Sequence, residues 1–398
     1  MVHHTMSSSK ARAPSASSTS RIMNRLQGVL ALAWIVGLAA AISPASSQGL
    51  EPGLASGALP EDRAPLPRDL RQPKTRWVAV RWAELPGFEA DALHEAWNAW
   101  LKSCERPGPV FAALCSEVRR LSLGDGPAQR AWMMTRLQPY RVESHAGENE
   151  GLLTAYYEPQ LEASRLPDAS FTVPLYQPPL SQAPRKPWYT RQQIDTLPEV
   201  RAQLAGREIA YLANPVDALV LQIQGSGRLR IRQPDGSIRS VRLAYAGSNE
   251  QPYKSVGRWL LDQGALRDAS WPSIKNWVAQ NPTRVNDMLW SNPRTVFFRE
   301  ETLTEQDMVW GPRGAQGVPL TPGRSIAVDP ASIPFGTPVW LASSGPTAAL
   351  RKLVLAQDTG SAITGAVRAD YFAGWGADAQ ELAGRMKQTV RLWALWPK

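Results

Sequence analysis

From about residue 137 onward, short apolar runs alternate with glycine and proline, and this texture restricts the fold more than any other feature. The runs include GLLTAYYEP, LVLQIQGSGRLRIR, SIAVDPASIPFGTPVWL and LRKLVLAQDTG. Apolar segments of this length, bounded by turn residues, are typical of β-strands. Within the second run, Gln222 and Gln224 are predicted to lie on one face of a strand that ends in a Gly-Ser-Gly turn. We therefore expect a mainly β body.

Helices are predicted ahead of this region. The segment FEADALHEAWNAWLKSC, residues 88 to 104, has apolar residues at helical spacing. Its tryptophans favour a packed core over a ligand platform. Further helices are predicted over 110–121 and 129–137. Two more are predicted between the strand runs of the β-rich region, over YKSVGRWLLDQGAL and SWPSIKNWVAQNP. The proline-rich segment 173–187 is most simply a surface loop.

The amino terminus has the layout of a secretory signal peptide. Arg21 and Arg25 precede the apolar run GVLALAWIVGLAAAI, and small residues follow it. The run is short for a membrane span, which favours a cleaved leader over 1–47 that ends before Gln48; an uncleaved anchor is the alternative. Residues 48–75 have the composition of a flexible linker. No cysteine stands near the predicted cleavage point to accept a lipid.

Charge, histidine and cysteine content narrow the classes of function. The net charge of +9 falls to +5 when the four basic residues of the leader, which has no acid, are removed. This excess suits an acidic polymer or an envelope surface and does not require nucleic acid. With four histidines, two of them in the leader, a His-rich metal site is hard to assemble, and we expect no metal. In an exported protein, a disulfide between Cys104 and Cys115 is favoured over two buried thiols.

Two polar segments are candidates for binding a glycan. Alternation along the strand in GLLTAYYEP places Thr154, Tyr156 and Glu158 on one face, where hydroxyls and an aromatic ring suit a sugar. A half-buried edge strand fits the same pattern. Gln222, Gln224, Ser226 and Arg228 could bind hydroxyl and N-acetyl groups, although the same letters also make an ordinary hairpin. Neither a phosphate loop nor a dinucleotide fingerprint is present.

Three aspartates are candidates for the chemistry. Asp329 precedes a proline, which favours a structural turn. Asp358 ends the apolar run KLVLAQ and begins Asp-Thr-Gly, where exposed N–H groups are expected to keep it ionised; tight-turn chemistry is the alternative. Asp370 precedes Tyr371 and Phe372, whose aromatic rings could desolvate it and hold its proton. An ion pair with a nearby arginine would explain Asp370 equally well.

In this order, the segments resemble the membrane-bound lytic murein transglycosylase A family. The resemblance rests on TAYYEP, DALVLQIQGSGR, YAGSNEQPYKSVGR, NPRTVFFRE, AVDPASIPFGTPVW, QDTGSAITG and RADYF, and extends from about Trp77 to the end. It implies a double-psi β-barrel formed by 76–157 and 296–398. A second β-rich domain, 158–295, would be inserted into the barrel, with a few flanking helices and a groove between the domains. Ala155 and Ser361 stand where the family pattern has glycine.

The resemblance also implies a chemistry. The expected substrate is the β-1,4 bond between N-acetylmuramic acid and N-acetylglucosamine in peptidoglycan, cleaved without water to 1,6-anhydromuramyl products. Asp370 maps to the catalytic acid, Asp358 lies beside it, and Asp358 and Asp329 are given supporting roles. No cofactor is expected. The predicted protein is a periplasmic monomer, with association to the outer membrane or to other cell-wall enzymes left open.

Two other classes of function are compatible with parts of the sequence. A non-catalytic protein that binds or loosens the cell wall on the same barrel would tolerate aspartate substitutions. A nucleic-acid binder would need clusters of lysine and arginine interleaved with aromatic residues. The export signal and the modest charge weigh against the second class.

Overall fold

A computed structural model describes residues 65–180 and 186–398. The predicted signal peptide, 1–47, lies outside the described residues, as does the predicted linker up to residue 64. The remainder of that linker contributes a short strand, Leu70–Arg71, which pairs with Arg76–Trp77. Within the described residues, no helix is long and apolar enough to cross a membrane.

The described chain alternates strands and helices. The strands are β1 (Leu70–Arg71), β2 (Arg76–Ala79), β3 (Leu137–Glu143), β4 (Gly151–Glu158), β5 (Gln160–Ser164), β6 (Val173–Tyr176), β7 (Glu208–Leu212), β8 (Ser226–Arg232), β9 (Ile238–Ser248), β10 (Val296–Thr302), β11 (Ser325–Val328), β12 (Pro338–Ser344), β13 (Ala349–Asp358), β14 (Arg368–Trp375) and β15 (Lys387–Pro397). The helices are α1 (Leu93–Ser103), α2 (Cys115–Arg120), α3 (Gly126–Arg136), α4 (Arg191–Thr196), α5 (Pro198–Leu204), α6 (Pro215–Gln224), α7 (Val256–Asp262), α8 (Trp271–Gln280), α9 (Val285–Trp290), α10 (Glu305–Met308) and α11 (Ala377–Arg385).

A nine-stranded sheet forms a barrel. Its order is β1-β2-β3-β15-β12-β13-β11-β14-β4, and β15 also pairs with β4. This extra pairing closes a ring of six strands, from β15 through β12, β13, β11 and β14 to β4. The interior is filled by apolar side chains such as Ile326, Val328, Val339 and Leu392, all fully or almost fully buried. The mainly β fold with a barrel is therefore confirmed.

A second, six-stranded sheet is formed by the chain between β4 and β11. Its order is β10-β9-β8-β5-β7-β6, with β5 and β8 parallel and the other neighbours antiparallel. Helix α6 packs on this sheet and shares its apolar core through Leu221. Only Pro159 separates β4 of the barrel from β5 of this sheet, so the two sheets are joined directly at that point.

Helices α1 to α3 cover one side of the barrel. Trp97 and Trp100 of α1 are buried together with Trp340 and Trp393 of the barrel strands, as the helical spacing predicts. Burial of one large apolar side chain stabilises a fold by about 1.5–3 kcal/mol. A disulfide joins Cys104, which follows α1, to Cys115, the first residue of α2, with their Cα atoms 5.5 Å apart.

The strand predicted over Leu221–Gln224 is wrong, because this segment ends helix α6. The Asn214 side chain accepts the N–H of Val216 and caps the helix, and Pro215 occupies its first turn. Gly225 ends it with a φ of 79°, a left-handed conformation that glycine adopts readily. The strand starts only at Ser226. The proline-rich segment also differs from the prediction of a loop, since Val173–Tyr176 pairs with β7.

Candidate active site

The two aspartates at the centre of the site are held on strands on either side of β11. Ala327 of β11 is the register partner of Asp358 on β13 and of Asp370 on β14. Neighbouring strands lie about 4.8 Å apart, so two strand spacings, roughly 10 Å, separate the two backbones. The eleven residues 359–369 of the QDTGSAITGAVRAD segment connect them. This segment brings both carboxyl groups to one region of the barrel.

Asp370 is half-buried, and among the described residues one side chain, that of Thr154, donates a hydrogen bond to it. Its Oδ1 accepts a hydrogen bond from Thr154 Oγ1 at 2.5 Å, and Arg368 Nη2 donates to the same hydroxyl at 2.7 Å. Burial raises the pKa of Asp370, while the Thr154 hydrogen bond and the charge of Arg368 act to lower it. Arg368 therefore reaches Thr154 instead of forming the direct ion pair that the sequence left open. A raised pKa favours a protonated carboxyl.

Asp358 accepts more hydrogen bonds. Tyr156 Oη donates to Oδ2, and the backbone N–H groups of Ala315 and Thr359 donate to Oδ1, each at 2.9 Å. Burial nevertheless raises the pKa of Asp358 to about 6, with the charge of Asp370 adding to the rise. The expected N–H groups are present, but they do not keep the pKa at its ordinary value. Asp358 is ionised at neutral pH and becomes protonated below about pH 6.

Two adjoining cavities form a groove at this site. The smaller, about 280 Å³, contains Asp370, Thr154 and Arg368, and the larger, about 680 Å³, contains Asp358. Both are lined by the same central residues: Tyr156, Gln222, Ile223, Gln224, Arg294, Val296, Gly360 and Ser361. One wall therefore comes from the barrel, and the other from α6 and the six-stranded sheet. Volumes in this range are typical of ligand sites.

The predicted glutamines line the groove from helix α6. Arg191 Nη2 donates to Gln222 Oε1 at 2.6 Å, and the Tyr157 N–H donates to Gln224 Oε1 at 3.1 Å. Because these contacts occupy the amide oxygens, the NH₂ groups remain to donate hydrogen bonds into the groove. Ser226 is buried and lines the larger cavity only.

Glu158 and Arg228, predicted to bind substrate, lie elsewhere. Neither lines the two cavities. Glu158 is fully buried and accepts hydrogen bonds from Arg228 Nε at 2.7 Å and from Arg242 Nε at 2.6 Å. The Arg228 guanidinium also lies over the Trp375 ring, 3.9 Å from its centre. These side chains connect the two sheets, and we assign them a structural role.

Asp329 is also outside the groove. It is buried, pairs with Lys74 Nζ at 2.7 Å, and accepts the N–H groups of Ala331 and Gly365. Donors of this kind favour the ionised form and outweigh burial, so the pKa of Asp329 is lowered. Through Gly365, Asp329 holds the loop that connects Asp358 to Asp370. This placement fits the structural turn that its Asp-Pro sequence favours.

Several groove residues were not singled out from the sequence. Arg191, Tyr253, Asn292 and Arg294 all line the smaller cavity. Tyr253, Asn292 and Arg294 lie within the quoted segments YAGSNEQPYKSVGR and NPRTVFFRE. The high density of polar and turn residues in these segments could have indicated a binding site. Arg191 follows the helix cap Thr190 and had no signal of its own. The described residues contain no cluster of histidine, cysteine and acidic side chains that could hold a metal ion.

Comparisons with known proteins identify the family. The model of the MltA-specific insert domain matches residues 152–299, and that of the 3D domain matches 324–396. Membrane-bound lytic murein transglycosylase A of Vibrio cholerae is 30% identical over 263 residues, which are 63% of this chain and 67% of that protein.

Solved structures agree with the sequence comparison. The lytic transglycosylase LtgG of Burkholderia pseudomallei is 41% identical with a TM-score of 0.57, over 81% of this chain and 95% of its own. MltA from Neisseria gonorrhoeae is 29% identical with a TM-score of 0.70, over 84% and 96% of the two chains. With the barrel, the inserted sheet and the aspartates in place, this chain belongs to the MltA family of lytic murein transglycosylases.

Proposed function

We propose that this protein is a peptidoglycan lytic transglycosylase that uses Asp370 as its catalytic acid. The bond cleaved is the β-1,4 linkage between N-acetylmuramic acid and N-acetylglucosamine. The observation that carries the residue assignment is the half-buried carboxyl of Asp370, whose pKa is raised and which lies in the groove beside Thr154. A general acid must hold a proton near its working pH and must also reach the substrate.

The proposed reaction needs one carboxyl group and no water. Asp370 protonates the oxygen that leaves with N-acetylglucosamine, and the bond from this oxygen to the anomeric carbon of the muramyl residue breaks. The muramyl 6-hydroxyl then bonds to the same carbon, and its proton passes to the Asp370 carboxylate. The acid is regenerated, and the product is a 1,6-anhydro sugar. Ordinary hydrolysis would instead need a second carboxyl group placed to activate water or to attack.

Groove residues are proposed to position the glycan. Tyr156 presents a ring held by packing against Phe372 and by its hydrogen bond to Asp358. Gln222 and Gln224 present amide donors from the opposite wall, suited to hydroxyl and N-acetyl oxygens. Asp358 supports the barrel wall of the groove by accepting hydrogen bonds from Tyr156 and from the Ala315 N–H.

Digestion of purified peptidoglycan, followed by mass analysis, tests the proposal. We expect muropeptides that are lighter by one water than the products of a hydrolytic muramidase and that lack a reducing end. Products with a reducing end would mean hydrolysis and would require a second carboxyl group, with Asp358 examined first. Binding to the wall without release of any product would support a non-catalytic wall-binding protein instead.

Location in the periplasm is part of the same proposal. Its support is the layout of the leader, because Arg21, Arg25 and the apolar run that follows are typical of exported proteins. The absence of a cofactor, a monomeric state and contacts with other cell-wall enzymes remain predictions from the resemblance. The division into barrel residues 76–157 and 296–398 and inserted residues 158–295 is likewise proposed.

A further inference from the structure

The larger cavity has a strongly basic lining. Arg106, Arg294, Arg299 and Arg313 all line it, whereas Asp358 is its one acidic residue among those described. Arg299 is neutralised by Glu301, 2.8 Å away. Within the described part of the chain, the other three arginines have no carboxylate at ion-pair distance. The charge of Arg313 contributes to lowering the pKa of Asp307, but the Asp307 carboxylate accepts its hydrogen bond from the Thr304 hydroxyl.

Two of these arginines are placed by a shared loop. The Arg106 guanidinium packs so closely against Gly317 that a Cβ there would lie 2.6 Å from Nη1, and the φ of Gly317 is +85°. Arg313 Nη1 donates to the Gly317 carbonyl at 3.1 Å. The positive φ favours glycine at this point, and any side chain there would force the Arg106 guanidinium to move. Arg106 and Arg313 together are called the basic pair below.

The loop 313–317 is tied to the segment that carries Arg106 and to Asp358. Gln316 Nε2 donates to the Arg106 carbonyl at 3.1 Å, and Ser103 Oγ donates to Gln316 Oε1 at 3.2 Å. One residue earlier, the Ala315 N–H donates to Asp358. These hydrogen bonds connect the backbone that carries the basic pair to Asp358 in the same cavity.

We propose that the larger cavity is a subsite for the carboxylates of peptide stems carried by the glycan, with the basic pair as its anion-binding groups. The inference rests on the proposed function and specifies its substrate. An N-acetylglucosamine ring has no charge to offer three arginines. A peptide attached to the lactyl group of a muramyl residue ends in a free carboxylate, for which the planar guanidinium is a well-matched partner. A cleft lined mainly by positive charges also raises the local concentration of negatively charged ligands.

The test compares two substrates. Glycan strands that carry peptide stems are compared with the same strands after an amidase has removed the stems, which leaves a lactyl carboxylate close to each muramyl ring in place of the distant stem carboxylates. Both substrates are digested by the full chain and by an Arg106→Gln/Arg313→Gln variant. We expect the unmodified protein to have the higher kcat/KM on stem-bearing strands. In the variant, the ratio of kcat/KM for the two substrates should fall about tenfold, since hydrogen bonds to a charged group are lost. Added salt should lower the ratio as well.

Controls separate charge, geometry and folding. Arg267→Gln removes the same charge from an exposed residue that lines neither cavity and should leave the ratio unchanged. An Arg106→Lys/Arg313→Lys variant keeps the charge but not the guanidinium fork. Its ratio should lie between that of the unmodified protein and that of the Arg106→Gln/Arg313→Gln variant. Each single variant is measured as well, so that misfolding of the double variant does not decide the result.

Two outcomes would overturn the inference while leaving the proposed function intact. One is equal activity of the unmodified protein on both substrates; the other is an unchanged ratio in the folded Arg106→Gln/Arg313→Gln variant. Failure of the proposed function would look different, because the unmodified protein would then release no anhydro product from either substrate.

Discussion

Asp358 and Asp370 show how two identical side chains acquire different properties at neighbouring positions. Both are desolvated, which raises both pKa values. Within the described chain, Asp358 has both oxygens occupied by donors from three different residues, whereas Asp370 accepts one hydrogen bond, from Thr154. A carboxyl group with a free oxygen facing a cavity can exchange a proton with a substrate. Asp358 is better suited to hold the groove in shape.

Substituting each aspartate by asparagine separates these roles. Asp370→Asn should reduce kcat by roughly a hundredfold to ten-thousandfold, because the general acid is lost while size and shape are kept. Asp358→Asn should cost only about tenfold, the effect of weakening hydrogen bonds to one charged group. Initial rates of muropeptide release measure both, and thermal unfolding checks that each variant folds. Full activity of Asp370→Asn would disprove the assignment of the acid.

The pH dependence of activity follows from the raised pKa of Asp370. As the pH rises through that pKa, the fraction of protein with a protonated acid declines, and kcat/KM should decline with it. The protein should therefore be most active at mildly acidic pH. A pH–rate profile on stem-free strands, whose ionisation changes little, is the appropriate measurement. A rate that continues to climb to pH 9 would contradict the role of Asp370.

Stability should also depend on pH through Asp358. Its pKa is raised from 3.8 in the unfolded chain to about 6 in the folded protein, so the folded state binds the proton more tightly. The stabilising contribution is complete below about pH 4 and is lost as the pH rises through about 6. Urea unfolding between pH 4 and pH 8 should show this decline, and Asp358→Asn should reduce it. An equal slope in both proteins would assign the effect to other groups.

At the scale of elements, the link between β4 and the six-stranded sheet depends on Glu158. Its carboxylate, at the end of β4, meets Arg228 of β8 and Arg242 of β9, all with side chains at most 10% exposed. Both arginines also donate to the carbonyl of Trp310 in the segment that leads back to the barrel. The buried carboxylate of the last residue of β4, a barrel strand, is thus bound to β8 and β9 of the six-stranded sheet.

Removing this charge should be strongly destabilising. Glu158→Gln removes the carboxylate that pairs with two buried guanidinium groups, and loss of one partner from a buried pair costs about 3–5 kcal/mol. Glu162→Gln is a matched control on β5, because Glu162 pairs with Arg230 and both side chains are about 60% exposed; such pairs contribute about 0–1 kcal/mol. The free energy of unfolding in urea measures both. Similar losses in the two variants would refute the importance of the buried cluster.

Helix α6 shows which element could have been predicted better. The sequence NPVDALVLQIQG contains an asparagine cap, a proline in the first turn and a terminal glycine, all of which signal a helix. The strand interpretation gave more weight to the alternation of Gln222 and Gln224 with apolar neighbours. Short apolar runs do not distinguish a strand from a buried helix, and the flanking residues decide. The roles of Glu158 and Arg228 had no local signal, because they meet across 70 residues.

For the molecule as a whole, the sequence predicts which residues form the core better than it predicts which strands pair. The tryptophans of α1 and the apolar barrel strands follow from periodicity alone. The contacts that close the barrel do not follow from periodicity, since β4 pairs with β14 more than 200 residues later and with β15 near residue 390. Such non-local pairings have no local sequence signature. The barrel with an inserted sheet was therefore predicted from the family resemblance and not from pattern.

The leader prediction concerns the whole chain and is tested on exported protein. A positively charged start, an apolar run and small residues before Gln48 predict cleavage at that point. Amino-terminal sequencing of protein recovered from the periplasm should begin near Gln48. A chain that retains Arg21 and Arg25 would instead support an uncleaved anchor.

Export into an oxidising compartment should also determine how stable the whole molecule is, through the Cys104–Cys115 disulfide. A native disulfide of this kind typically contributes about 2–4 kcal/mol. Both cysteines are buried, at the end of α1 and the start of α2, so alanine at both positions keeps the apolar character while removing the crosslink. The double Cys→Ala variant should unfold at lower urea concentration than the oxidised protein. A reductant should destabilise the unmodified protein and leave the variant unchanged. If both thiols of exported, folded protein react with an alkylating reagent before any reductant is added, the disulfide is absent and this prediction is wrong.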